Sequence, residues 1–430
     1  MKKQRKDGLL PPGEGGPTAS GLARRMRESM RSLTRPFGPP SPGGRGPWPL
    51  LFVAIVCLVA VSLLIPASTL SHETTSTTVL FDREIVRILD QHCVMCHSDK
   101  SLSFPLMTYE QTWLRGRPIR AEVLKRHMPP WPAVPGYEQF ANDNSLTLRE
   151  LQFMVSWVEG LGPRNAGAVF LNVLDPNAKP REEVKAHVHG GTWQLGQPGL
   201  TRQLSASRIE AGQSDHVRRV VIDPGLRAER LLRAIEYMPG DARVVRAAFF
   251  TVQETGQWLG SWTPWCGNTL LPSNASYRLP AGAHIVAEIH YRAAKETVTE
   301  QGTLGLFFAD RPTANSVSNL ILEAKGDVPA GATAQRFRSQ TRLTTSLSAL
   351  ALRPEAAAGV TSIEVSARKL DGGTDVLLFA KDISPDWPTP YIFKSPVRLA
   401  AGTTLSVTAY YSNSSSAPLP GGVRLTVSRY

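Results

Sequence analysis

The run Leu50 to Leu70, LLFVAIVCLVAVSLLIPASTL, carries no charged residue. It has the length, about 20 residues, that an α-helix needs to cross a bilayer core of roughly 30 Å. A buried helix of a soluble protein would keep a polar stripe, and this segment has none. Ten Lys or Arg stand in residues 1–48 against three acids, so the positive-inside rule places the N-terminus in the cytoplasm and residues 71–430 outside. Trp48 suits the membrane interface. The charged stretch ahead of the run is long and no A-x-A site follows it, which favours an uncleaved anchor over a signal peptide. Cys57, in mid-span, reads as a small apolar filler. Much of the net charge of +12 therefore belongs to a local tail and does not point to nucleic acid.

The expected organisation follows from changes in texture. Residues 1–48, rich in Pro, Gly, Ser and Arg, read as a disordered basic cytoplasmic tail, and residues 49–70 as the transmembrane anchor. After the polar tether SHETTSTT, helical spacing begins at Ile85, Val86, Ile88 and Leu89. It returns at Arg120 to Arg126 and at Thr147 to Leu161, predicting a small all-α unit over 79–163. From about Trp193 onward the chain changes to short alternating or β-branched runs such as RVVRAAFFTV, AHIVAEIHYRA, SIEVSARKL and TTLSVTAYYS, separated by Gly, Pro and Asn turns. That texture predicts two all-β units, 191–312 and 313–430.

Four cysteines in 430 residues are too few for a disulfide-stapled scaffold. Two of them form Cys93-Val94-Met95-Cys96-His97, the C-x-x-C-H pattern in which both thiols bond the vinyl groups of a haem and the adjoining imidazole ligates its iron. A redox dithiol or half of a zinc site would ask for a βαβ context or a second cysteine pair, and neither is visible. For the sixth iron ligand the candidates are Met107, His127, Met128 and Met154. Met128 lies in HMPPWP, where consecutive prolines restrict the backbone and could hold a thioether over a haem face. Met154 sits on the apolar stripe of a helix, where a core role is the usual one. His127 reads as solvated and Met107 as packing.

These segments resemble a bacterial family in which a mono-haem cytochrome c domain is fused to a copper type II, ascorbate-dependent monooxygenase-like module. CVMCH, SFPLMTYEQ and HMPPWPAVPGYEQFANDNSLTLRELQFMVSWVEGLGP carry the resemblance to the haem domain, and it implies Met128 as the distal ligand. WQLGQP, AIEYMPGDARVVRAAFF, LPAGAHIVAEIHYRA, GTLGLFFA and PYIFKSPVRLAAGTTLSVTAYYSNSS look like the paired jelly rolls of peptidylglycine-hydroxylating and dopamine β-type monooxygenases. By that resemblance the two β units are jelly rolls of this type.

The family's copper ligands do not carry over. Where it has adjacent histidines this chain has Arg246 and Ala247, and of that ligand set only His290 remains. Where it has His-x-His after a proline, this chain reads Pro354-Glu355-Ala356-Ala357. Beyond Tyr291 there is no His, Met or Cys at all, so the second β unit can supply no imidazole or thioether. His187 and His189 read as a linker pair, His284 as a surface residue and Cys266 as a buried lone thiol. One covalent haem c is therefore expected and copper is not.

The expected function is electron transfer by a membrane-anchored cytochrome of the bacterial inner membrane, with haem and β units in the periplasm. Its partner would be a membrane oxidoreductase or another redox protein, and the β module would serve docking or structure. The rival readings are a haem-fed copper monooxygenase and an accessory subunit of a larger membrane redox complex.

Overall fold

Alternation of buried and exposed positions governs most of this chain. In the computed structural model, which describes residues 77–166, 185–186, 191–384 and 387–430, strands dominate and helices are confined to one segment. The described residues belong to one unit, Thr74–Tyr430. The expected tail 1–48, the anchor 49–70 with Cys57, and the pair His187 and His189 lie outside the described residues. Among the described residues no helix is long and apolar enough to cross a membrane.

The helical segment begins with a π-turn, Phe81–Ile85, that runs into α1, Val86–His92. It continues with α2, Tyr109–Trp113, α3, Gly116–Leu124, and α4, Leu148–Glu159. Both α2 and α4 start at capping boxes, Thr108 with Gln111 and Thr147 with Glu150, which satisfy amide groups that a helix end otherwise leaves unpaired. The apolar positions of these helices meet in one core containing Phe81, Ile85, Leu89, Val94, Ile119 and Trp157. Met154 lies in the same core at 1% exposure.

The strands form two sequence blocks. The first comprises β1 (Leu200–Gln203), β2 (Ser207–Ile209), β3 (His216–Ile222), β4 (Arg230–Met238), β5 (Val245–Val252) and β6 (Trp258–Trp262). It continues with β7 (Asn268–Leu270), β8 (Ala275–Leu279), β9 (Ile285–Tyr291), β10 (Val298–Glu300), β11 (Thr303–Phe308) and β12 (Asn315–Ser316). One sheet runs β1-β11-β4-β8-β12 with β7 beside β4, a second runs β3-β9-β5-β6, and β10 pairs with β2. The second block comprises β13 (Ser318–Val328), β14 (Gln335–Arg342), β15 (Leu347–Ala356), β16 (Val360–Arg368), β17 (Thr374–Lys381), β18 (Tyr391–Leu399), β19 (Thr404–Tyr411) and β20 (Leu419–Arg429). Its two sheets run β13-β20-β15-β18 and β14-β19-β16-β17. Strands far apart in sequence lie side by side in every sheet, a jelly-roll-like pattern of non-local pairing.

Each block has its own apolar core, built by the two-residue period of its strands. In β9, Ile285, Ala287, Ile289 and Tyr291 are buried while Val286, Glu288 and His290 take the opposite face. Pro354 lies in β15, opposite Leu425 of β20, beyond the point where pairing of β15 with β18 stops at Leu352. A proline is tolerated there because one edge of the strand is already without a ladder.

One stretch departs from the expected division of the chain. Residues 131–142, read from sequence as part of the helical unit, extend as an arm along the second block. Ala133 bridges to Ala380 and Phe140 to Phe393. Trp131 and Phe140 are buried in the second core, their rings 5.3 Å from Tyr391 in each case. The Asn142 amide donates to the Pro390 carbonyl at 2.8 Å and its side-chain oxygen accepts from the Ile392 amide at 3.0 Å.

Candidate functional site

Helix α1 ends at His92, and the chain turns at once into the C-x-x-C-H loop. The Cys93 carbonyl accepts from the amides of Cys96 and His97 at 3.1 and 2.9 Å, which curls the motif and sets both thiols on one turn. All of Cys93, Cys96 and His97 are half-buried, and both thiols are free. Burial pushes the Cys93 thiol up to about 12, with the Cys96 charge adding to it, and raises Cys96 to about 11. Thiols held this far above neutrality are protonated, the reverse of the lowered values that make a dithiol reactive in exchange.

His97 is oriented by its other nitrogen. Its Nδ1 lies 2.9 Å from the Phe104 carbonyl oxygen and donates to it, and its ring packs 4.7 Å from that of Phe104. The tautomer this imposes leaves Nε2 as a free lone pair, the arrangement by which an outer hydrogen bond fixes a metal-ligating imidazole. Burial, the largest influence, also lowers the His97 pKa, favouring the neutral ring. The Arg115 guanidinium lies over the Phe104 ring, 4.7 Å from its centroid.

The other sulfur and imidazole candidates are placed as follows. Met128 follows α3 in the loop ahead of the arm and is 39% exposed, so its thioether is available. Met107 is partly buried against the helical core, and its sulfur accepts the Asp99 amide at 3.3 Å. Met154 is enclosed within that core. His127 is exposed and bonded to Glu122. His92 is buried, with Nδ1 by the Asn144 carbonyl at 3.2 Å and Nε2 3.4 Å from Glu150. It ties the end of α1 to the start of α4, next to the motif. Its only sequence signal was a histidine preceding the first cysteine.

Of the residues named from sequence in the β blocks, His290 lies on the non-core face of the β3-β9-β5 sheet. His290 stands opposite Ala247, and its Nε2 is 3.3 Å from the Glu288 carboxylate. The same carboxylate accepts from Arg219 at 2.8 Å and from Arg353 of the second block at 3.1 Å, and Arg353 also reaches Glu355 at 3.1 Å. The His290 bond, with Arg219 and Arg353 helping, holds the Glu288 carboxyl down at about 2. Arg353 lies 4.1 Å over the Phe249 ring. This ion cluster fastens the two blocks together where the resemblance would place one copper set. Among the described residues no group of three or more His, Cys, Asp or Glu side chains converges as a metal site.

His284 is partly exposed and pairs with Glu254 at 2.9 Å. The Cys266 thiol donates to the Asn268 carbonyl and lines a cavity of about 590 Å³ between the blocks, together with Trp258, Trp265, Tyr277, Leu350 and Phe393.

No family model matches the chain, and no curated protein does. Among solved structures, the major capsid protein P2 of bacteriophage PM2 is similar over 54% of this chain and 97% of its own, at 10% identity and a TM-score of 0.25. PNGase F, a glycosylasparaginase from Flavobacterium meningosepticum, is similar over 53% of this chain and 96% of its own, at 11% identity and a TM-score of 0.25. Likenesses this distant carry no functional argument.

Proposed function

We propose that the chain is a membrane-anchored, periplasmic c-type cytochrome that transfers electrons through one covalent haem. The observation that carries this reading is the His97 geometry: the imidazole is held by the Phe104 carbonyl at 2.9 Å with Nε2 left over, one residue beyond two free thiols. The residues fit the group. Cys93 and Cys96 would hold haem c through thioethers, and His97 and Met128 would ligate its iron. When bound, haem c supplies one-electron cycling between Fe(III) and Fe(II).

The chain's own residues do the rest. Phe104 fixes the imidazole tautomer. The arm from Trp131 to Asn142 ties the Met128 loop to the second block, so that the thioether is presented from a braced loop. The two β blocks are proposed as the paired jelly rolls of the monooxygenase-like module, retained for docking or structure without copper. The expected anchor places the assembly on the periplasmic face of a bacterial inner membrane, where a membrane oxidoreductase or another redox protein would be its partner. A redox titration of the purified full-length chain tests this: one Nernstian one-electron couple and one iron per chain are expected, and a chain without iron or without a couple would refute it.

A further inference from the structure

We propose that Arg246 and Arg292 form a carboxylate-binding pair on the first β block, beside the loop that carries Cys96 and His97. The pair is assembled by the sheet. The ladder between β5 and β9 slips between Val245 and Ala247, so Arg246 is the extra residue of a β-bulge, a device that re-aims a side chain. Arg292 follows the last residue of β9, and its amide donates to the Val244 carbonyl just ahead of β5, which brings both arginines to one end of the sheet. Asp215, just before β3, completes the cluster. One of its oxygens accepts from Arg246 at 2.7 Å and the other from the Ala293 amide at 2.7 Å.

The cluster holds two guanidinium groups and one carboxylate. Arg246 is 16% exposed, with Trp387 stacked 5.1 Å away, and its Nε is buried without an acceptor. Arg292 is half-buried and makes no ion pair among the described residues. Its proton affinity is lowered first by burial and then by the Arg246 charge. Two partly desolvated like charges with an unused donor favour an additional anion, and the planar fork of arginine matches a carboxylate best.

The position beside the motif rests on the packing of the loop that follows it. Leu102, five residues past His97, packs against the core of the first block. The carboxylate could be a propionate of the haem or could belong to a soluble electron donor or acceptor. The site rests on the cytochrome reading for its neighbour but not for its anion chemistry.

The test uses the full-length protein, with citrate as the probe and chloride at matched ionic strength as the control. The heat of citrate binding in a calorimetric titration reports on the pair without reference to haem, and the reduction potential reports on the haem. A soluble carboxylate ligand predicts a saturable citrate response in the wild type, weakened at least about tenfold in Arg246→Gln and Arg292→Gln, the loss expected for one charged hydrogen-bonding partner. A propionate predicts no citrate response, but a potential lowered by about 59 mV or more in both variants, a tenfold change for a one-electron couple. Arg246→Lys and Arg292→Lys, which keep the charge, should recover part of either effect if the Gln variants fold poorly. No citrate response in the wild type together with an unmoved potential in the variants would overturn the proposal. Absence of haem from the protein would instead show in the iron content and leave the citrate measurement readable.

Discussion

Replacing Glu288 by Gln should loosen the two β blocks from one another, by an amount that depends on pH in a defined way. The Glu288 side chain is 18% exposed and joins His290, Arg219 and Arg353. Its carboxyl falls from 4.5 to about 2 in the folded protein. At about 1.4 kcal/mol per pH unit, that depression corresponds to an upper bound of about 3 kcal/mol. Solvent reaches part of the cluster and Gln keeps some hydrogen bonding, so the expected loss near neutral pH is about 2 kcal/mol. A depressed carboxylate stabilises the fold above its unfolded value and loses that contribution as pH falls toward its folded value. The difference between wild type and variant should therefore halve by about pH 3 and nearly vanish by about pH 2. Urea unfolding followed by tryptophan fluorescence at these pH values measures it, with Arg353→Met and the double variant completing a cycle. A loss that is the same at all three pH values, or additive single and double variants, would refute the reasoning.

Three further outcomes are expected. Met128→Ala should abolish the weak far-red charge-transfer band of methionine-ligated ferric haem and lower the potential by more than about 60 mV; an unchanged spectrum would assign the ligand elsewhere. Phe140→Ala, which empties a ring packed between Tyr391 and Phe393, should destabilise the chain by about 3–5 kcal/mol, and protease should then cut first within residues 131–142; unaltered cleavage would show that the arm is not held by that ring. Protease applied to intact spheroplasts should digest the chain beyond residue 70 and spare an N-terminal tag, whereas protection of the haem motif would contradict the expected topology.

What could be read from sequence was local. The apolar spacing of α1 and α4 and the alternation of β9 depend on neighbours within a few residues, so their periodicity is visible directly. Strands β13 and β14 are obscured in the sequence, because exposed charged residues such as Lys325, Asp327, Arg336 and Arg338 interrupt their apolar pattern. The arm at 131–142 was hidden for another reason. Its proline-rich sequence specifies an extended loop, but its partners, Tyr391 and Phe393, lie some 250 positions away. The same holds for the cluster at Glu288, which needs Arg353 from another block. Arg246 is visible in the sequence as a single basic residue, yet its convergence with Arg292 and Asp215 depends on a bulge and a strand register that no single-sequence pattern encodes. The motif at Cys93 was legible because its chemistry is contiguous. The Phe104 carbonyl that orients His97 is a backbone group and leaves no mark on composition.

The most direct test of the central claim is the intact mass of the denatured, acid-extracted chain, beside that of the double variant Cys93→Ala with Cys96→Ala. Thioether bonds survive denaturation whereas axial bonds to iron do not. The account predicts a wild-type mass increased by that of one haem, a haemochrome spectrum that stays with the polypeptide, and loss of the covalent haem when both cysteines are replaced. A wild-type chain at the mass of the bare polypeptide, with both thiols free to alkylation, would contradict it.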